Sequence, residues 1–137
     1  MAVTARWYPS AAHQMFLGNI KSTDTIKIAL LTSAGTYDTS DTTWSDISAQ
    51  EITPTAVYTT GGKATTITAS SDTTASYFST SSVLWELATF TFHHAVVYSS
   101  TSGALVLHLD FGGAQAPNGQ DYQINVPSPA PSATPAS

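Results

Sequence analysis

The sequence predicts an all-β protein, a compact β-sandwich or small barrel of about seven to nine short antiparallel strands. Apolar and polar side chains alternate in many short runs, most clearly in residues 83–113. Turn-forming residues separate these runs at regular spacing. Only 9 % of the residues are charged, and Ser and Thr fill many polar positions instead. Because Thr suits a pleated surface, this composition also favours strands.

Residues 83–113 predict the central hairpin, with strands at 89–98 and 104–111 around a turn within 99–103. Alternate side chains of a strand point to opposite faces. The first strand has its large side chains at even positions and the second at odd positions: Phe90, Phe92, His94, Val96 and Tyr98, then Leu105, Leu107, Leu109 and Phe111.

The register follows if both apolar faces lie on the same side of the sheet. Val96 is then opposite either Leu105 or Leu107. Both registers place His93, His108 and Asp110 together on the other face. We therefore expect Leu107→Asp to prevent folding and His108→Ser to change stability little.

Residues 1–9 predict an N-terminal arm, in which Trp7 and Tyr8 are candidate partner contacts. A short helix is expected over 10–18, with Ser10 as N-cap and a stop at Gly18.

Met15, Phe16 and Leu17 make this helix strongly apolar. Two interpretations stay open: the helix lies over an open sheet edge or barrel end, or it contacts a partner.

The remaining elements follow the same signals. Strands are predicted at 25–32, 63–69, 76–79, 83–85 and 121–126, an edge strand at 51–54, and loops at 33–43 and 114–119. Trp44 is expected to close one end of the core, and Gly61-Gly62 to form a turn or bulge.

The composition changes after Val126, so we predict a single β domain over 1–126 and an extended tail over 127–137. Pro127, Pro129, Pro131 and Pro135 favour polyproline II. The tail is either disordered or an arm that orders against a neighbouring subunit. These prolines are the remaining candidate partner contacts.

Charge and composition exclude several classes of function. The net charge is −5 with only four Lys and Arg, so no basic patch for nucleic acid is expected. Without cysteine there is neither a disulfide nor a thiolate site. No segment predicts a membrane span or a signal peptide, so we expect the chain to mature where it is made.

Catalytic motifs are missing from the sequence: there is no phosphate-binding glycine loop, no G-x-S-x-G and no H-E-x-x-H. His93, His108 and Asp110 could bind a metal, or they are hydrogen-bonded groups on an outer sheet face, which we favour. His94 is expected on the apolar face. The six tyrosines could form a sugar-binding platform, but aromatics at strand spacing are typical of a core. We therefore predict no catalytic residue, no cofactor and no metal.

The order of several segments resembles a family of small structural proteins of tailed-bacteriophage virions. The segments are TIKIALLTS at 25–33, Tyr37-Asp38, TWSDI at 43–47, Glu51-Ile52, YTTGGK at 58–63, VLWELATFTFHHAVVYSS at 83–100 and LVLHLDFGG at 105–113. Together they cover roughly residues 7–126. The family tends to end in a short aromatic strand, whereas this chain ends in the Pro/Ala/Ser tail.

The resemblance implies a protein that is not an enzyme and that sits on the assembled particle. The function expected from it is a capsid decoration, or cement, protein that stabilises capsomer contacts on the outer head surface. Its partners would be the major capsid protein and neighbouring copies of itself, with neither nucleic acid nor membrane, and it would be located in virions assembled in the host cytoplasm. The alternative is a tail-associated receptor- or carbohydrate-binding β module.

Overall fold

A five-stranded antiparallel sheet, built around the predicted hairpin, forms the centre of the protein. The structure is a computed structural model that describes residues 4–21, 23–71, 73, 76–124 and 130–131. Within them the fold is all-β, as predicted. The elements are β1 Thr4–Trp7, α1 Pro9–Phe16, β2 Ile26–Leu31, α2 Trp44–Ile47, β3 Lys63–Thr65, β4 Ile67–Ser71, β5 Ser76–Thr80, β6 Val83–Thr89, β7 Phe92–Ser99, β8 Leu105–Gln115, β9 Asn118–Ile124 and β10 Ala130–Pro131.

The central sheet has the strand order β1-β8-β7-β2-β3, and every neighbouring pair is antiparallel. Two smaller groups of strands flank it: β6 pairs with β9, and β5 lies between β4 and β10. The β7–β8 hairpin and β2 form the middle of the large sheet.

Both faces of the central sheet are buried. One face packs against β6, β9 and α1 around a cluster that includes Ile28, Val97, Leu107, Trp85 and Ile124. The other face is covered by residues 33–50, which we call the cover segment. Residues of the second cluster are Tyr8, Ala29, Leu31, Ile47, Val96, Tyr98 and Leu105, with Tyr37 and Trp44 packed against them. Burial on both sides explains why β2 is almost continuously apolar.

The hairpin register differs from both predicted registers. Val96 pairs with His108 and Val97 pairs with Leu107, so odd positions of the two strands face each other. The prediction assumed that one face is open to solvent, which required His108 to avoid burial. Because the cover segment closes that face, His108 is buried on it. Only beyond the two register shifts, where Phe92 pairs with Gln115 and Tyr98 pairs with Leu105, do an even and an odd position meet.

The N-terminal residues also differ from the prediction. Thr4–Trp7 do not form an arm, because they pair with β8 as an edge strand. Helix α1 begins at Pro9, whose fixed φ suits the first helical position. Ser10 therefore lies inside the helix and is not its cap. The helix ends at Phe16, and Gly18 follows with φ +80°.

Three other predicted elements change their bounds. In place of an edge strand at 51–54 there is one isolated bridge between Leu31 and Glu51. The strand at 63–69 is divided into β3 and β4. The loop expected at 114–119 shrinks because β8 extends to Gln115 and β9 begins at Asn118.

Part of the predicted tail pairs with the domain. Ala130 and Pro131 form β10 and pair with Phe78 and Tyr77 of β5. The remaining tail residues and the end of the predicted last strand, Val126, lie outside the described residues.

Gly62 is required by a close approach of two backbones. Its φ is +87°, and a Cβ at this position would lie 2.1 Å from the carbonyl oxygen of Ile28 and 2.7 Å from the Cα of Ala29. Gly103 has nearly the same φ, +84°, but a Cβ there would meet no atom within 4 Å. A side chain at Gly62 would therefore cause both backbone strain and steric overlap, whereas a side chain at Gly103 would cause backbone strain alone.

We predict that Gly62→Ala reduces the free energy of unfolding by more than about 3 kcal/mol or prevents folding, because strain and overlap act together. Gly103→Ala, the control, should cost about 1–2 kcal/mol from strain alone. Chemical denaturation of both variants measures the difference. Equal losses would show that β2 and residue 62 are not packed as described.

Candidate functional site

An aromatic and histidine cluster lies where the first half of the cover segment contacts the central sheet. The rings of Tyr8 and Tyr37 are 5.4 Å apart, and the ring of His108 lies 6.4 Å from Tyr8 and 5.8 Å from Tyr37, measured between centroids. The Tyr37 hydroxyl donates a 2.6 Å hydrogen bond to the carbonyl of Trp7. Arg6 lies over the outer side of the cluster, with its Cζ 5.4 Å from the Tyr37 centroid.

His108 joins the sheet to the cover segment. Its Nε2 is 2.7 Å from the carbonyl oxygen of Gly35, so Nε2 carries the hydrogen and Nδ1 is the bare nitrogen. The residue is only 1 % exposed, and Nδ1 has no hydrogen-bond partner among the described residues. Burial lowers the pKa of His108, which keeps the ring neutral near pH 7. The expectation that His108 lies on an outer face is therefore wrong, and the small effect of His108→Ser on stability, which was expected from that position, stays a prediction.

His94 takes the place that the sequence assigned to His93. Its ring lies 5.0 Å from that of His108, and its Nδ1 is 3.6 Å from Oδ1 of Asp110. Burial lowers the pKa of His94, while Asp110 opposes this shift. The exchange of His93 for His94 follows from the register, because His94 pairs directly with Asp110.

The two histidines are the titratable side chains of the cluster near neutral pH. Among the described residues, no group of three or more His, Asp or Glu side chains is arranged to hold a metal ion. Asp110 is about half exposed and accepts a 2.9 Å hydrogen bond from the backbone of Gly112.

A second polar group, around Tyr58, is structural. Its hydroxyl accepts a 2.9 Å hydrogen bond from the Leu30 N–H and donates a 2.6 Å bond to Glu51. The same carboxylate oxygen accepts a 2.6 Å bond from the Gly61 N–H, and the Tyr98 hydroxyl donates to the Gly61 carbonyl. Burial raises the pKa of Tyr98 to about 12. These contacts give Glu51-Ile52 and YTTGGK a role in the core.

Most predicted partner contacts are not on the described surface. Tyr8 is 1 % exposed, and Trp7 is half-buried against the core. Both are anchored because β1 belongs to the sheet. Pro131 pairs with Tyr77, whereas Pro127, Pro129 and Pro135 lie outside the described residues.

The tyrosines do not form the sugar platform of the alternative hypothesis in the part of the chain that is described. Tyr8, Tyr58 and Tyr98 are buried, and Tyr37 and Tyr122 are half-buried. The side chain of Tyr77 lies outside the described part.

Exposed apolar side chains occur at two places. Phe16 is 90 % and Leu17 is 60 % exposed at the end of α1, and we call these two residues the helix-end patch. Leu87 is 70 % exposed at the rim of an open cleft of about 720 Å³, which Val57 also lines. Leu87 has φ +51°, and its N–H donates to Asp121. The sequence indicated the helix-end patch but gave no signal for Leu87.

No family model, no curated protein and no solved structure matches the chain. Neither helix in the described part of the chain is long and apolar enough to cross a membrane.

We predict that Tyr58→Phe lowers the free energy of unfolding by about 1–3 kcal/mol, because the buried Leu30 N–H loses its acceptor. Tyr122→Phe removes one 3.2 Å bond to Gln115 from a half-buried site, and this control should cost about 0.5–1 kcal/mol. Urea denaturation compares the two variants. A Tyr58→Phe protein as stable as Tyr122→Phe would contradict the structural role of this network.

Proposed function

We propose that this protein is a structural protein of a tailed-bacteriophage virion, most specifically a decoration protein of the outer head surface. The observation that carries the proposal is the ordered series of segments that resembles such a family. Several of these segments make defined parts of the fold. TWSDI forms α2 with a capping box between Thr43 and Asp46, and YTTGGK supplies Tyr58 and Gly62.

The distribution of side chains supports a role in binding rather than in reaction. The histidines at 94 and 108 and the buried tyrosines at 8, 58 and 98 contact one another or the backbone inside the protein. Among the described residues, the most exposed large apolar side chain is Phe16 of the helix-end patch, at 90 %. Such patches are typical of interaction sites when they are contiguous.

We propose that the helix-end patch is the surface of this protein that binds the capsid. Ala11 and Met15 hold α1 against the core, so Phe16 and Leu17 are presented from a fixed helix. Burying each of these side chains contributes about 1.5–3 kcal/mol. Repetition of the contact over a symmetric particle would add to the stabilisation of the shell.

The edge of β1 is the contact that we assign to neighbouring copies. Thr4, Ala5 and Arg6 are exposed, and β1 is at one end of the central sheet. An edge strand can accept a strand from another chain. Contact between copies at this edge would link decoration proteins across the particle.

The location on the particle is tested by electron microscopy of phage that carries a labelled copy. Label distributed over the head supports a decoration protein. Label at the tail tip alone would overturn this proposal and favour the tail-associated binding module.

We predict that Phe16→Ser/Leu17→Ser weakens binding to undecorated capsids by at least about tenfold, since more than 1.4 kcal/mol of apolar burial is lost. Leu87→Ser, which changes an exposed leucine elsewhere, is the matched control and should bind like the unmodified protein. Co-sedimentation with capsids measures binding, and thermal melts check folding. Unchanged binding of the double variant would exclude the helix-end patch as the contact.

We also predict that truncation after Val126 weakens capsid binding with only a small decrease in melting temperature. The tail carries four prolines and so has a low entropic cost of ordering against a neighbour, while β10 adds only two paired residues to the fold. Melts and co-sedimentation of truncated and full-length protein test this. Unchanged binding would remove the tail from the interface, and a large loss of stability would place it inside the domain.

A further inference from the structure

The two halves of the cover segment are attached by different contacts. In the second half, Trp44 stacks on Tyr98 with centroids 4.5 Å apart and an angle of 6°. The Trp44 N–H donates to Gly103, and the Leu105 N–H donates to Thr42. This half is therefore joined to the β7–β8 hairpin by ring stacking and backbone hydrogen bonds that do not titrate.

The first half of the cover segment, residues 33–41, is attached to the sheet by hydrogen bonds from two histidines. The His108 ring donates a 2.7 Å hydrogen bond to the carbonyl of Gly35, and the His94 ring forms a hydrogen bond with the backbone of Ser33. Tyr37 adds its bond to the Trp7 carbonyl. Gly35 lies close to the sheet, since a Cβ there would be 2.5 Å from the Cβ of Leu31.

A proton added to either histidine would meet an unfavourable environment. Nδ1 of His108 and Nδ1 of His94 are both buried and have no hydrogen-bond partner among the described residues. Each ring lies 5.0 Å from the other, so two protonated rings would repel each other. Closure of the cover segment therefore disfavours protonation of both rings at the same time.

The charged groups around His94 and His108 have opposing effects on the protonation of these two rings. Asp110 is half exposed and lies 3.6 Å from His94. It favours protonation of both histidines, and the hydrogen bond to Gly35 also favours protonation of His108, but burial outweighs these effects. His93 opposes protonation of His94, and Arg6, which pairs with His108 across β1 and β8, opposes protonation of His108. Burial is the main cause that raises the pKa of Tyr8, and Asp41 and Asp38 of the cover segment raise it further.

We propose that residues 33–41 form an acid-sensitive lid, which separates from the sheet when His94 and His108 take up protons. The second half of the cover segment and the opposite core remain in place. Opening would separate the ring of Tyr37, which moves with the lid, from the ring of Tyr8, and would expose Tyr8. This inference does not depend on the proposed virion function.

The direction of the pH dependence follows from linkage. Burial lowers the pKa of both histidines in the closed state, whereas an exposed histidine has a pKa of about 6.5. The open state thus binds more protons below about pH 6.5, and acid favours opening. In the window between the open-state and closed-state pKa values, each histidine increases the open-to-closed ratio by up to about tenfold per pH unit.

Hydrogen exchange of the full chain between pH 8 and pH 4.5, corrected for the intrinsic pH dependence of exchange, tests the lid. We expect exchange in residues 33–41 to increase by at least about tenfold more than in β2, β7 and β8 as the pH falls below about 6.5. His108→Gln can still donate to Gly35 but cannot be protonated, so its increase should be much smaller. His13→Gln, which changes an exposed histidine on α1, is the matched control and should behave like the unmodified protein.

Histidine NMR of the unmodified protein gives a test that does not require a variant to fold. We expect His108 to titrate below the pKa of about 6.5 of an exposed histidine, together with shifts in the Tyr37 resonances. Titration of His108 at or above that value with the lid still closed would overturn the proposal. So would a His108→Gln protein whose exchange profile matches that of the unmodified chain, or equal increases in residues 33–41 and the central strands.

Discussion

Burial of the central sheet on both faces is the constraint on which the rest of the structure depends. The strands β2, β7 and β8 carry apolar side chains on each side, and the two clusters that they form are closed by different parts of the chain. On one side the cover consists of strands and a helix. On the other it is an irregular segment that contains only α2 and a short 3-10 helix at Ser48–Gln50. The backbone polar groups of this segment need hydrogen-bond partners within the protein, because the segment excludes water from the sheet.

The irregular cover is held by polar side chains that point inward. Aromatic stacking of Trp44 on Tyr98 fixes one end, and the Gly35–His108 bond fixes the other. Beside β2, the Tyr58 hydroxyl accepts a hydrogen bond from the Leu30 N–H. It thereby provides the acceptor that a neighbouring strand would otherwise supply. Buried polar groups of this kind stabilise a fold when they are paired and destabilise it when they are not. Nδ1 of His94 and Nδ1 of His108, which have no hydrogen-bond partner among the described residues, belong to the unpaired kind.

The division between buried and exposed side chains connects the architecture to the proposed function. His108 and the tyrosines at positions 8, 58 and 98 are buried inside the protein. What it presents outward is an apolar helix end and the backbone of an edge strand. Those features are the basis of the proposed assembly role, in which many weak contacts would be repeated.

The sequence by itself determined the all-β class, β2, the β7–β8 hairpin with its turn, and the apolar character of the helix end. Those features depend on local alternation and on turn residues, which a linear pattern records. Only the tertiary structure decided the register, the exchange of His93 for His94, the burial of Tyr8 and the pairing of β1. Each of these depends on whether a second layer covers the sheet, and that layer comes from residues 33–50, whose polar sequence does not indicate where they lie. With both faces closed, alternation no longer distinguishes the inside from the outside, so the pattern that defined the strands could not orient them.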